Sequence, residues 1–147
     1  MNAPYLPAGM PAPVPSPDGL DAPYWEGTRK GELRVQRCGV CLEWQWGPEW
    51  LCHRCHAFEI DWPAVEPVGA IYSWERPWHP VHPALRERGP YTVVLVELPQ
   101  AGHVRMLGNL LDSDDVPVAI GDPVEAVFEP HDDAEIPYTL VQWRLRL

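Results

Sequence analysis

The sequence predicts a mainly β protein with a short N-terminal helix, a four-cysteine metal ribbon and a five-stranded barrel. Three observations carry that expectation. All four cysteines fall in two CxxC pairs, Cys38-Gly39-Val40-Cys41 and Cys52-His53-Arg54-Cys55, separated by ten residues. After Trp62, five β-branched or aromatic runs alternate with turn-rich pieces. A helix signal stands ahead of both, where Asp21 precedes Pro23 and Gly31 follows the apolar stretch.

The chain begins with an arm. Seven of its 19 prolines lie in the first 23 residues, which favours extended polyproline-like conformers and leaves nothing for a core. Residues 1–20 are therefore read as a flexible Pro-rich arm, either a linker or a strap for a partner. Asp21 then caps a two-turn helix over Ala22–Lys30, with Pro23 in its first turn and Tyr24, Trp25 and Thr28 on one face. Leu33 to Arg37 alternates apolar and polar residues as a half-buried strand does. Helix and cysteine segment together make a unit over 21–62.

The five runs downstream are Val68–Trp74, Tyr91–Leu98, His103–Leu111, Pro123–Glu129 and Tyr138–Leu145. Pro99 to Gly102 and Asp112 to Pro117 are the clearest turns between them. Five strands with a long first one suit a small barrel of the OB type over 63–147, with an open meander as the competing arrangement. Gly69 within the first strand marks a bulge or bend, and Gly121-Asp122-Pro123 a turn into a strand whose first residue has no ladder donor.

Charge narrows the function classes. The net charge is −10, with −3 on residues 1–90 and −7 on residues 91–147. Nucleic-acid affinity rests on cations that neutralise phosphates, so a generic nucleic-acid module, a common use of a zinc ribbon joined to an OB barrel, is disfavoured. No stretch approaches 18 consecutive apolar residues, and the N-terminus lacks the basic and apolar regions of a secretory signal. A cytoplasmic protein with no membrane span is expected. Thiols stay reduced there, so the cysteines point to a metal before they point to disulfides.

Cys38, Cys41, Cys52 and Cys55 at this spacing bring four thiolates around one zinc ion in a tetrahedron. Four ligands leave no open coordination position, so such a zinc is structural. Arg37 and Arg54 stand near enough in sequence to offset its two extra negative charges. Two other metals compete. Four thiolates also hold a single iron in rubredoxin-like electron carriers. Residues 52–56 read Cys-His-Arg-Cys-His, the pattern of covalent haem attachment, which needs an export signal. His53 and His56 are read as surface residues of the knuckle.

These pieces, in order, resemble the standalone proteins of domain of unknown function family 35. The matching residues are Tyr24-Trp25-Glu26-Gly27, Leu33, the four cysteines, Gly69-Ala70-Ile71-Tyr72-Ser73-Trp74, Pro90-Tyr91 with Val94-Leu95-Val96-Glu97-Leu98, and Ile120-Gly121-Asp122-Pro123-Val124. The resemblance implies a short helix, a rubredoxin-like zinc ribbon and an OB fold. It also implies an accessory role beside thiolase-superfamily enzymes that act on acyl-CoA. The chain departs from the pattern after each knuckle, where the family usually has Gly and this chain has Leu42 and His56. A distorted knuckle or a weaker metal site is the expectation from that change.

No nucleophile elbow, phosphate-binding glycine loop or paired carboxylates appear in the sequence. The most distinctive surface is the connection Arg76-Pro77-Trp78-His79-Pro80-Val81-His82, continuing through Arg86 and Arg88. It gathers three of the chain's 11 Lys and Arg and two of its six histidines. Guanidinium forks suit phosphates and an indole stacks on an adenine ring, against the bland alternative of a solvated, Pro-stiffened loop. Trp25, Trp44, Trp46, Trp50 and Trp62 crowd the metal segment, too many for a small ribbon to bury without the barrel or another chain. Arg76, Trp78, His79, Arg86, Arg88, Trp25 and Trp50 are thus the candidates for contact with acyl-CoA or a partner. The expected function is a non-catalytic subunit with a structural zinc. It binds a thiolase-like enzyme, either a thiolase or a thiolase-fold aldolase such as those of steroid side-chain degradation, and helps hold its acyl-CoA substrate. A nucleic-acid module and an iron electron carrier are the alternatives.

Overall fold

The computed structural model describes residues 3–147. Its one α-helix among those residues, α1 (Ala22–Arg29), starts at Asp21 with Pro in the first turn and stops before Gly31 at φ +74°. Asp21 does not cap the helix with its side chain. Its carboxylate instead accepts the Ser16 amide (2.8 Å) and the Trp25 indole N–H (3.0 Å), and so ties arm and helix together. Gly27 is required by packing: a Cβ there would lie 2.9 Å from the Arg34 side chain that crosses the helix.

The run expected as one strand over Leu33–Arg37 is two strands. β1 (Leu33–Arg34) and β2 (Gln36–Cys38) flank Val35, and each serves a different sheet. β3 (Trp44–Gln45) and β4 (Ile60–Asp61) pair with the two edges of β2, while β5 (Ala64–Val65) returns to pair with β1. Leu33 and Val35 are fully buried and belong to the same apolar cluster as the barrel residues, which is why the chain changes partners there.

β6 (Val68–Glu75), β7 (Val93–Leu98), β8 (Val104–Asn109), β9 (Pro123–His131) and β10 (Tyr138–Leu145) form one antiparallel sheet in the order β10-β9-β6-β7-β8. β6 pairs with β9 through Val68–Ala70 and with β7 through Ala70–Glu75, so a single strand serves both sides. The sheet curls until its ends meet at a parallel bridge, Leu110 to Trp143, where the Leu111 amide donates to the Trp143 carbonyl at 2.8 Å. The open meander is thereby replaced by a nearly closed barrel. The expected irregularity is displaced, since the bulge falls at Tyr72, between Ile71 and Ser73. Gly69 serves close approach instead: a Cβ there would lie 2.5 Å from Val96 and 2.6 Å from the Glu97 carbonyl. Gly121 (φ +95°) turns the chain into Pro123, the first residue of β9.

With Leu33 and Val35, the core includes Ile71, Val94, Val96, Leu98, Met106, Leu110, Val124 and Trp143, and Trp44 and Trp46 from the ribbon pack against it. Fully burying each such aliphatic side chain stabilises the fold by about 1.5–3 kcal/mol. Residues 3–20 contain no helix or strand. They lie against the barrel, where the Tyr5 hydroxyl donates to the Leu110 carbonyl (3.2 Å) and Pro4 to Pro13 face β9 and β10. Residues 1 and 2 of the expected arm lie outside the described residues. No helix among the described residues is long and apolar enough to cross a membrane.

Candidate functional site

The two CxxC turns stand at the end of the β2–β3–β4 sheet. Cys38 closes β2, and the second turn is returned to it by β4, which pairs Ile60 with Cys38. Among the described residues, the sulfurs of Cys38, Cys41, Cys52 and Cys55 lie within 4.8 Å of one another. Cys38 Sγ is 3.6 Å from Cys55 Sγ, and Cys41 Sγ is 3.6 Å from Cys52 Sγ. Four sulfurs at about 2.3 Å from a central ion stand about 3.8 Å apart in a tetrahedron, so the constellation has the size of a tetrathiolate metal site.

Backbone amides aim at these sulfurs. Val40 and Cys41 donate to Cys38 Sγ at 3.4 Å each, and Arg54 donates to Cys52 Sγ at 3.3 Å. The Cys41 amide, with that of Val40, holds the Cys38 thiol down to about 7. The amide of Cys55 likewise lowers Cys52. The Glu43 amide draws Cys41 down, but burial and the three neighbouring sulfurs outweigh it and push that thiol up to about 12. Four thiolates cannot share so small a volume without a cation between them.

Leu42 and His56 do not distort the knuckles. They adopt the left-handed backbone that glycine would supply, at φ +63° and +61°, and return their amides to the carbonyls of Cys38 (3.1 Å) and Cys52 (2.9 Å). That conformation costs a residue with a Cβ about 1–2 kcal/mol. Arg54 is drawn to Glu43 (2.7 Å) and Arg37 to the Leu42 carbonyl (3.2 Å), with its guanidinium 4.9 Å from the Trp44 ring centre.

A buried pair of amides, unmarked by any sequence motif, positions the second knuckle. Gln36 and Gln45 are 2% and 4% exposed. Gln36 accepts the Glu49 amide (3.1 Å) and donates to the Glu49 carbonyl (3.0 Å), while Gln45 Oε1 accepts the His53 amide (3.1 Å) beside Cys52.

The loop after β6 separates its expected site residues. Arg76 turns into the barrel end, donating to the Ser113 carbonyl (2.8 Å) and the Thr92 hydroxyl (3.2 Å). Arg88 lies over the Tyr5 ring at 5.0 Å and near Asp114 at 3.7 Å. Trp78, His79 and Arg86 share a shallow hollow closed by Leu85 and Tyr91, and Trp78 is 76% exposed. Trp25 packs edge-on against Tyr24 and Tyr138, whereas Trp50 is 56% exposed on the ribbon. Neither Trp25 nor Trp50 lines the hollow that Trp78, His79 and Arg86 share.

The model of the ChsH2 C-terminal OB-fold domain matches residues 62–129. Over 92% of its length the chain superposes on all of a chain from the Ltp2-ChsH2(DUF35) aldolase, with a TM-score of 0.76 and 29% identity. The chain has the fold and, over residues 62–129, the sequence pattern of the ChsH2(DUF35) proteins. A DUF35 protein from Sulfolobus solfataricus shares the fold at a TM-score of 0.59 and 12% identity, covering 89% of this chain and 87% of that one. Two curated relatives are hydratase subunits by name. One, from Thermomonospora curvata, is a probable enoyl-CoA hydratase alpha subunit, 34% identical over 76% of this chain. The other, from Mycobacterium tuberculosis, is a 3-oxo-4,17-pregnadiene-20-carboxyl-CoA hydratase alpha subunit, 31% identical over 84% of this chain. The chain spans 34% and 42% of the length of those two relatives.

Proposed function

We propose that this chain is a non-catalytic accessory subunit that docks on a thiolase-superfamily enzyme and helps hold its acyl-CoA substrate. The observation that carries this reading is the likeness, from end to end of that chain, to the DUF35 component of the Ltp2-ChsH2 aldolase. In this reading Cys38, Cys41, Cys52 and Cys55 hold one structural zinc, which cross-links the two knuckles and takes no part in chemistry. The nucleophile or base comes from the partner.

The loop residues divide by what they touch. Arg76 and Arg88 are committed to the barrel end and the arm, so they set the shape of the loop. Trp78, His79 and Arg86 face outward and are the residues offered to the acyl-CoA or the partner, with Trp50 as a second exposed aromatic anchor. Trp25 is half-buried and links the helix to β10 through Tyr138.

The test is reconstitution. Mixed with a cognate thiolase-fold enzyme, the chain forms a complex that survives gel filtration, and acyl-CoA turnover needs both components. Alone it turns over no acyl-CoA ester. The names of the two hydratase relatives favour a second reading, in which the partner is a hydratase chain. A complex with a hydratase and none with a thiolase-fold enzyme selects that reading. Tight, salt-sensitive binding to single-stranded nucleic acid without either partner overturns both.

A further inference from the structure

The outer face of the β9–β10 hairpin carries ionisable and amide side chains that are out of water. Its cross-strand pairs include Val127 with Gln142, Glu129 with Leu140 and His131 with Tyr138. Gln142 is 2% exposed and Tyr138 8%, and the Glu129 side chain is 10% exposed. Much of that cover is the arm. Residues between 4 and 13 form one wall of a cavity of about 530 Å³ whose other wall is Glu129, His131, Tyr138, Leu140 and Gln142.

The seat is specific. The Tyr5 amide donates to Glu129 Oε2 (3.3 Å), its hydroxyl donates to the Leu110 carbonyl (3.2 Å), and its ring lies 5.0 Å under Arg88. Glu129 is itself fixed, by Gln142 Nε2 at 3.2 Å and His131 Nε2 at 2.7 Å, so that a carboxylate oxygen points at the arm. His131 is stacked on Tyr138 at 4.6 Å, giving an aromatic wall. Past the turn at Gly9 the half-buried arm residues are Met10, Pro13, Pro15, Ser16 and Leu20, so the proline-rich stretch, whose composition favours extended conformers, keeps contact with the fold. Aromatic-lined grooves bind such segments because little entropy is lost in ordering them.

We infer that the outer face of β9–β10 is a recognition groove for an extended, proline-rich segment with an aromatic anchor. The chain's own arm occupies it in cis, and a segment of the same chemistry on a partner subunit takes its place when the arm is released. The tether at Ser16 and Asp21 keeps the arm at high effective concentration, so the groove is closed to competitors until the Tyr5 latch opens.

The probe is a synthetic peptide of residues 3–13, added in trans and followed by NMR shifts of the Glu129, Leu140 and Gln142 amides. Three proteins are compared: the full chain, the full chain with Tyr5→Ala, and the chain lacking residues 1–13. Among the described residues, none of the arm belongs to the core cluster, so the shortened chain keeps its barrel. The full chain shows no saturable shift. The Tyr5→Ala and shortened chains bind saturably, and binding falls at least tenfold when the peptide carries Tyr5→Ala or the protein carries Glu129→Gln. A well-folded shortened chain that ignores the peptide, or that binds the Tyr5→Ala peptide equally well, overturns the inference. If shortening unfolds the protein, the full-length Tyr5→Ala variant decides: saturable shifts support the groove and their absence refutes it.

Discussion

Gln45 donates from Nε2 to Gln36 Oε1 at 2.8 Å, and this contact between two buried amides connects the first knuckle's strand to the second knuckle. Gln36→Leu leaves the amide and carbonyl of Glu49 without partners. Each unmatched buried group costs about 1–3 kcal/mol. The expected result is a lower melting temperature and faster loss of metal to a chelator, read by absorbance of a zinc-sensitive dye. Unchanged release would show that the pair does not position Cys52.

Metal analysis of the purified protein should give about one zinc per chain. Cys38→Ser and Cys55→Ser should each lose the metal and unfold the ribbon, because binding energy at such sites is folding energy. Barrel amides, followed by NMR, should keep their dispersion. A red protein with thiolate-to-iron absorption would select the electron-carrier alternative.

Replacing Leu42 or His56 by Gly should stabilise the protein. Glycine removes about 1–2 kcal/mol of left-handed strain and returns roughly 0.5–1 kcal/mol to the unfolded chain as entropy. Leu42 is 55% exposed, so little packing is lost with its side chain. A gain of about 0.5–1 kcal/mol per site in urea titrations is expected, and destabilisation would mean that the side chains contribute contacts of their own.

Gly69→Ala and Gly108→Ala should each weaken the barrel. At Gly69 the new Cβ meets the Glu97 carbonyl at 2.6 Å, and at Gly108 it meets the Trp143 ring at 2.5 Å. Overpacking of this kind costs about 1–3 kcal/mol. Thermal melting of the two variants checks it, and the Gly69 change should be the worse because backbone cannot move aside.

Arg76→Ala and Arg86→Ala should behave differently. Arg76 bonds a buried threonine and a main-chain carbonyl, so its loss lowers stability. Arg86 is exposed in the hollow beside Trp78. Its loss should leave melting unchanged and raise the apparent KM for acyl-CoA in the reconstituted complex. Equal KM values for wild type and Arg86→Ala would remove this loop from the substrate site.

The four-cysteine cluster was legible because thiolate ligation needs a fixed local spacing, and the barrel because each strand carries its own period and turns. Tyr138–Leu145 is a strand over the range its aromatic and β-branched residues mark. The rest depended on distant partners. Nothing in Leu33–Arg37 shows that Val35 will point into the barrel core and divide the run between two sheets. Glutamine reads as a surface residue until its partner is known, so Gln36 and Gln45 carried no signal. Arg76 and Arg88 resembled free cations for the same reason, since Ser113 and Tyr5 lie far away in sequence.

Pairing of Leu33 with Val65 brings the two ends of the cysteine segment side by side at the foot of the barrel. The backbone between them leaves and rejoins the fold at one place, while Val35, Trp44 and Trp46 reach back to the core. Lengthening a loop twofold adds only about 0.6 kcal/mol of closure entropy. Extra residues inserted at an exposed turn between the knuckles, such as the one at Gly47, should therefore cost little while the barrel keeps its register.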